Sequence, residues 1–160
     1  MWQMLENIDR KIIAKISAAF PVCARLALFI VFFGFGILKL FDASPANPLV
    51  ESLLKETLPF LTFGQFIVIL GIWEMAIGLS FLIPRLERLA ILLLVPHMFT
   101  TAMPLILLPE IAWVNFPIPT LEGQYIIKNL VIIALAMGIA SQLKPWNFSS
   151  KGESAFGGKK

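Results

Sequence analysis

Four long apolar runs constrain this chain more than any other feature of its sequence. A helix needs about 20 apolar residues to cross the roughly 30 Å hydrocarbon layer of a bilayer. Runs of this length cover residues 22–41, 60–83, 89–108 and 126–143. They lack the polar–apolar alternation of lipid-facing barrel strands. They therefore predict an all-α integral membrane protein with a four-helix bundle.

The composition excludes the other broad classes of protein. Of the 160 residues, 58% are hydrophobic and only 14% are charged. A soluble domain is typically about 45–50% apolar and about 25% charged. The chain has too few polar side chains to cover a water-exposed surface, so we expect neither an ordinary soluble enzyme nor a disordered chain.

The basic residues flank the apolar runs and form no single stripe, so we expect no nucleic-acid partner despite the net charge of +3. Ten of the 13 lie on one side of the predicted spans, which places both termini in the cytoplasm. These ten are Arg10, Lys11, Lys15, Arg25, Arg85, Arg88, Lys144, Lys151, Lys159 and Lys160, against Lys39, Lys55 and Lys128 on the other side.

The segments outside the spans divide the chain further. Residues 1–21 carry an apolar face and predict an amphipathic helix on the cytoplasmic membrane surface. Residues 22–143 form the four-span domain, and residues 144–160 predict a flexible cytoplasmic tail. In the outer loops, we expect a short helix near residues 49–58 and an ordered cap over residues 109–125.

Polar residues inside the second and third runs mark a candidate site. Gly64, Gly71 and Gly78 recur every seven residues, so they lie on one side of a helix and permit close packing. Glu74 lies on the same stripe. Glu74 and His97 are both about 13–15 Å from the cytoplasmic boundary, at 1.5 Å per residue. We therefore predict that they can touch.

Charged groups inside a bilayer cost several kcal/mol and are usually paired and often functional. For Glu74, a proton-carrying or quinone-head-group site and a packing hydrogen bond are equally good readings. For His97 alone, the packing role is favoured, and Trp73 beside Glu74 fits either packing or stacking on a ligand ring. No catalytic residue is assigned, and Glu74 and His97 are the candidates.

Two lysines lie near the outer boundary. Lys39 follows Gly34 and Gly36, and a pair between Lys39 and Glu122 would clamp the outer loop onto the first span. The functional alternative is an anion- or head-group-binding pocket that includes Lys128. The alternative without a binding role is that the side chains of both lysines extend to the membrane–water interface, and this is favoured for Lys128.

The sequence shows no motif for other kinds of catalytic or metal chemistry. One cysteine, Cys23, and one histidine exclude an intrachain disulfide and a bis-histidine haem site within one chain. No phosphate loop, serine–histidine–aspartate set or metal-ligand cluster is apparent. We therefore expect no metal site.

Short motifs resemble a known family. Three groups of residues carry the resemblance: Arg25 with the run from Phe33 to Leu40, Glu74 to Gly78 with Pro84–Arg85, and Glu122–Gly123–Gln124 with Lys128–Asn129–Leu130. Over about residues 22–143, the chain resembles the DoxX-like membrane family. The chain is also similar to the reactive-chlorine-resistance inner-membrane group, although it lacks the longer polar insertion in the outer loop.

The resemblance implies a four-helix bundle in a bacterial inner membrane and a link to quinone-coupled redox and oxidative-stress systems. The leading hypothesis is a non-catalytic accessory or subunit protein that binds a small hydrophobic ligand such as a quinone, or a membrane partner. The alternatives are a quinone-reducing subunit with Glu74 or His97 as proton carrier, and a purely structural subunit. A redox partner or a homo-oligomer fits each of these hypotheses.

Overall fold

A computed structural model of the protein describes residues 1–145, most of which are helical. The all-α prediction holds except for one short antiparallel hairpin in the outer cap. The elements are α1 (Trp2–Leu40), α2 (Asn47–Thr57), α3 (Phe63–Leu82), α4 (Glu87–Ala102), α5 (Pro104–Leu107), α6 (Pro109–Ala112), β1 (Trp113–Asn115), β2 (Ile118–Pro119), α7 (Leu121–Ile127) and α8 (Asn129–Ala140).

Within residues 1–145, four helical stretches are long and apolar enough to cross a membrane. The predicted number of long apolar helices is thus confirmed. Each stretch overlaps its predicted run with ends shifted by at most five residues, except that the first stretch begins 20 residues before its run. The third stretch joins α4 to α5, and the fourth joins α7 to α8. They are Trp2–Leu40, Phe63–Leu82, Glu87–Leu107 and Leu121–Ala140.

The N-terminal segment continues directly into the first span. The sequence predicts a separate surface helix over residues 1–21, but α1 runs through Pro21 as one helix of 39 residues. Residues 1–19 are exposed along its whole circumference. The position of this segment on a membrane surface stays a prediction. The expected flexible tail lies almost wholly outside the described residues.

The four long stretches contact one another in a closed order. α1 packs on α3, α3 on α4, α4 on α8, and α8 returns to α1. A cluster of buried apolar side chains lies between them, and Leu28, Ile77 and Phe81 are its largest fully buried members. Many large apolar side chains point outward instead, such as Leu92 at 69% and Val131 at 70% exposure. Such a surface is typical of a protein surrounded by lipid.

Glycines bring α1 and α3 into backbone contact. A Cβ atom added to Gly36 would lie 2.5 Å from the carbonyl oxygen of Gly71. One added to Gly78 would lie 2.8 Å from the backbone nitrogen of Phe33. The predicted close packing is thus confirmed for Gly71 and Gly78. Gly64 takes no part, because nothing lies within 4 Å of its Cβ position.

An ion pair joins α1 to the start of α4 at one end of the helices, which we call the inner end. The Arg25 guanidinium donates a hydrogen bond to the Glu87 carboxylate. Nearby, the Arg88 side chain donates to the backbone carbonyl of Lys144 at 2.6 Å. Arg25 therefore has a packing role in addition to its place in the charge bias.

The opposite, outer end carries an ordered cap. The predicted short helix is present as α2, and Thr62 and Gln65 form a capping box that starts α3. The Trp113 indole donates to the Leu105 carbonyl at 2.9 Å, and the Thr120 hydroxyl donates to the Ile111 carbonyl at 2.6 Å. These bonds hold the hairpin against α5 and α6. The expected ordered cap over residues 109–125 is therefore present.

Gly36→Ala tests the close contact of α1 with α3. The added methyl group meets backbone atoms of α3 that cannot move separately, so we expect the free energy of unfolding to fall by about 1–3 kcal/mol. Gly34→Ala is the matched control on the same helix, because nothing lies within 4 Å of its Cβ position. Reversible unfolding in mixed micelles measures both variants. Equal stability of the two variants would contradict the packing.

Candidate functional site

Lys39, Glu74 and His97 form one buried cluster, which we call the triad. The Lys39 Nζ atom donates a hydrogen bond to Glu74 Oε2 at 2.6 Å. The His97 Nε2 atom lies 3.3 Å from Glu74 Oε1. The three residues are 5%, 6% and 2% exposed. The triad thus links α1, α3 and α4 through a single carboxylate, and the predicted contact of Glu74 with His97 is present.

The backbone of α1 aims Lys39 at this carboxylate. Helical side chains lean toward the N-terminus of their helix. Lys39 is the penultimate residue of α1, whose C-terminus lies at the outer end. Its side chain therefore leans inward rather than toward the outer surface. The contact between Gly36 and Gly71 brings the two backbones close enough for the ammonium group to reach Glu74.

Two sequence-based predictions for Lys39 are wrong, namely its extension to the interface and its pair with Glu122. Lys39 does not extend to the interface, because its side chain is 5% exposed. It also makes no clamp with Glu122, which is exposed on α7. The stronger partner is Glu74, because a carboxylate in an apolar core has no water and needs a cation or several donors nearby.

Aromatic rings enclose the imidazole of His97. The Phe32 ring meets it edge-on at a centroid distance of 5.5 Å, and the Trp73 ring lies at 6.1 Å. The Nδ1 atom of His97 is buried and has no hydrogen-bond partner among residues 1–145. A neutral imidazole holds its proton on the nitrogen that faces the carboxylate. Nδ1 then presents a free lone pair to the core.

Trp73 fixes α3 against α4 beside the triad. Its indole nitrogen donates to the Leu93 carbonyl at 3.1 Å, one helical turn before His97. Pro96 precedes His97 inside α4 and has no N–H group to donate. One backbone hydrogen bond of α4 is therefore missing at the turn whose Leu93 carbonyl accepts from Trp73. Trp73 is a packing anchor here, with its ring also close to the imidazole.

With Lys39 protonated, Glu74 ionised and His97 neutral, the charges of the triad sum to zero. Removing one charged partner of a buried pair costs about 3–5 kcal/mol, because the other charge is left without compensation. This cost makes the triad a strong restraint on how α1, α3 and α4 pack together.

Two of the six sequence-predicted site residues lie away from the triad. Lys128, between α7 and α8, is exposed, and its ammonium group lies 4.6 Å from the centre of the Tyr125 ring. Glu122 is exposed nearby on α7. Lys39, Trp73, Glu74 and His97 come together, whereas these two belong to the outer surface.

Two cavities of the structure lie away from the triad. One is near α2 at the outer end and one lies between α4 and α8, and no triad residue lines either of them. Within residues 1–145, no group of three or more histidine, cysteine, aspartate or glutamate side chains is placed to hold a metal ion. The triad can exchange hydrogen bonds and protons with a group that reaches Nδ1.

Sequence reasoning missed the Lys39–Glu74 pair and the Arg25–Glu87 pair. The signal for the first was available, since Gly36 and Gly71 mark where α1 and α3 touch and Lys39 and Glu74 each follow three residues later. The second pair gave no such signal. Glu87 appears in the sequence as an ordinary loop residue between two basic residues.

Comparisons of the chain with protein-family models, with curated proteins and with solved structures find no match in any of the three. The geometry of the described residues is therefore the basis for the function proposed below.

Lys39→Met tests the energetic role of the triad. The variant leaves Glu74 without its cation, so we expect the free energy of unfolding to fall by about 3–5 kcal/mol. Adding Glu74→Leu removes the orphaned charge and should restore most of the loss. Unfolding of the wild type, both single variants and the double variant in mixed micelles gives the coupling energy.

The matched control is Lys128→Met, which removes an exposed lysine and should leave stability nearly unchanged. Additive effects of Lys39→Met and Glu74→Leu, with no restoration in the double variant, would show that the two side chains do not interact.

Proposed function

We propose that the chain is a multi-pass protein of a bacterial inner membrane with both termini in the cytoplasm. The four long apolar helices and their outward-facing apolar side chains support a membrane environment. The excess of basic residues at the inner end supports the orientation. In this placement the closed order of α1, α3, α4 and α8 is a four-helix bundle.

Within that membrane, we infer that the protein is a DoxX-like, non-catalytic accessory or subunit protein of a quinone-linked redox or oxidative-stress system. It binds a small hydrophobic ligand or a membrane partner. The observation that carries this proposal is the buried triad, whose His97 Nδ1 atom has no hydrogen-bond partner among residues 1–145. A purely hydrophobic anchor needs no such group, and burying one is costly.

The chemistry of the triad suits an oxygen-bearing ring. The free Nδ1 lone pair accepts a hydrogen bond from a hydroxyl group, and Lys39 lies on the other side of Glu74 to stabilise negative charge. Electrons for any quinone reduction come from a partner, because one cysteine and one histidine in the whole chain do not form a self-contained redox centre. The accessory role therefore fits better than an independent enzyme.

A catalytic subunit is the second candidate, and the same residues favour it. In that role, Glu74 and His97 pass a proton to a quinone that a partner reduces. A purely structural role is the third candidate. It is favoured by the fact that neither described cavity reaches the triad and that Lys39 and Glu74 already satisfy each other.

Mass spectrometry of the protein extracted with its native lipid tests the proposal. We expect a copurified quinone or a copurified redox subunit. In Glu74→Gln, which keeps size and removes the charge, we expect at least a tenfold loss of that binding while the protein still inserts. Glu110→Gln, on the exposed face of the outer cap, is the matched control and should bind as the wild type does.

Two results would count against the proposal. Wild-type protein with neither quinone nor partner would refute the accessory role. If Glu74→Gln lowers only the midpoint of thermal unfolding and leaves binding unchanged, the triad is a packing device. Loss of quinone-linked turnover in Glu74→Gln, with quinone still bound, would favour the catalytic subunit.

A further inference from the structure

A second cavity lies between the third and the fourth of the long helical stretches. It has a volume of about 140 Å³ and lies between the α4–α5 stretch and the α7–α8 stretch. Its walls include Met98, Ala102, Leu105, Ile126, Asn129 and Ile133. Asn129 is the polar member of a wall that is otherwise apolar.

Each stretch has a one-residue irregularity beside this cavity, although the backbone at that residue stays in the right-handed helical region. Met103 separates α4 from α5, where Pro104 has no N–H group to continue the ladder. Lys128 separates α7 from α8. Ala102 and Asn129, next to these two residues, both belong to the cavity wall. The cavity therefore lies where the hydrogen-bond ladders of both stretches are locally irregular.

The Asn129 side chain has unused hydrogen-bonding capacity. It makes no hydrogen bond with any group among residues 1–145, although it is half-buried in an apolar wall. An amide without partners in an apolar environment is costly. A ligand oxygen in the cavity would accept from its NH₂ group or donate to its carbonyl oxygen.

The volume of the cavity favours one shape of ligand. A dry cavity of about 150 Å³ lined by Leu, Ile and Phe accommodates benzene. A single six-membered ring therefore matches this cavity, and its one polar atom belongs at Asn129. Met98 in the wall supplies a flexible, polarisable side chain that adapts well to an aromatic ring.

We propose that this cavity binds a small membrane-dissolved phenolic ring through its hydroxyl oxygen, which hydrogen-bonds to the Asn129 amide. The proposal rests on the membrane placement given above, and this phenol site is separate from the triad, which keeps the ligand proposed for it. Met98 follows His97 in the chain, so the wall of the cavity begins one residue from the triad.

Fluorine NMR of the full-length protein in phosphatidylcholine nanodiscs tests this site. The probes are 4-fluorophenol and 4-fluorotoluene, which have the same shape and differ in the hydroxyl group. We expect both to bind more tightly to protein-containing nanodiscs than to empty ones, with the phenol preferred. Asn129→Leu should weaken binding of the phenol by about fivefold or more and leave the toluene within about twofold.

A filled cavity provides the second variant. Ala102→Leu places three further carbon atoms in the wall and should abolish binding of both probes. Ala134→Leu makes the same change on an exposed position of α8 and is the matched control. Because toluene binding survives in Asn129→Leu, loss of phenol binding there cannot be attributed to misfolding.

Glu74→Gln separates this proposal from the role of the triad. Probe binding within about twofold of the wild type in that variant, together with its loss in Ala102→Leu, supports the cavity as the ring site. Loss in Glu74→Gln with retention in Ala102→Leu would overturn the cavity site and favour the triad instead. If the probes bind nanodiscs with the wild-type protein no more tightly than empty nanodiscs, the cavity site is overturned. The role of the triad is then decided by mass spectrometry of the protein extracted with its native lipid.

Discussion

The buried contact between Lys39 and Glu74 is the interaction on which the rest of the structure depends. It places a full charge pair inside an apolar assembly, where water cannot solvate either group. Such a pair forms only if the two backbones approach closely. Gly36, Gly71 and Gly78 make that approach possible, because their missing side chains let α1 and α3 touch. Close packing and charge pairing therefore require each other.

The third member gives the cluster its chemical interest. His97 touches the free oxygen of Glu74 and leaves its own Nδ1 atom without a partner among residues 1–145. Rings of Phe32 and Trp73 surround it. A group that serves packing alone would gain from pairing this nitrogen. An unsatisfied, proton-accepting atom in the core is instead what a hydrogen-bonded ligand or a proton-transfer step requires.

Much of the fold could be predicted from the sequence, because the length of an apolar run alone indicates a long apolar helix. The four runs, the α2 helix, the ordered cap and the contact of Glu74 with His97 all follow from length, proline placement and depth. The continuity of α1 through Pro21 could not be predicted in this way. The change from a charged segment to an apolar run near this proline suggests that one helix ends and another begins.

The partner of Lys39 also escaped prediction. Depth placed Lys39 at the outer boundary, but the lean of its side chain toward the inner end of α1 carries the ammonium group to Glu74. Glu122 and Lys128 were placed with it by sequence position, and they lie at the surface instead. The cavity beside Asn129 depends on how two helical stretches that are distant in the sequence pack together, and no sequence pattern indicated it.

Solid-state NMR of the protein in lipid bilayers tests the central claim most directly, through magnetisation transfer from lysine Nζ to glutamate Cδ. With Lys39 Nζ at 2.6 Å from Glu74 Oε2, we expect a strong one-step transfer signal that disappears in Glu74→Gln and in Lys39→Met. The exposed pair of Lys55 and Glu51 provides an internal reference that neither variant should affect. A spectrum in which both variants match the wild type would contradict the buried pair and the account built on it.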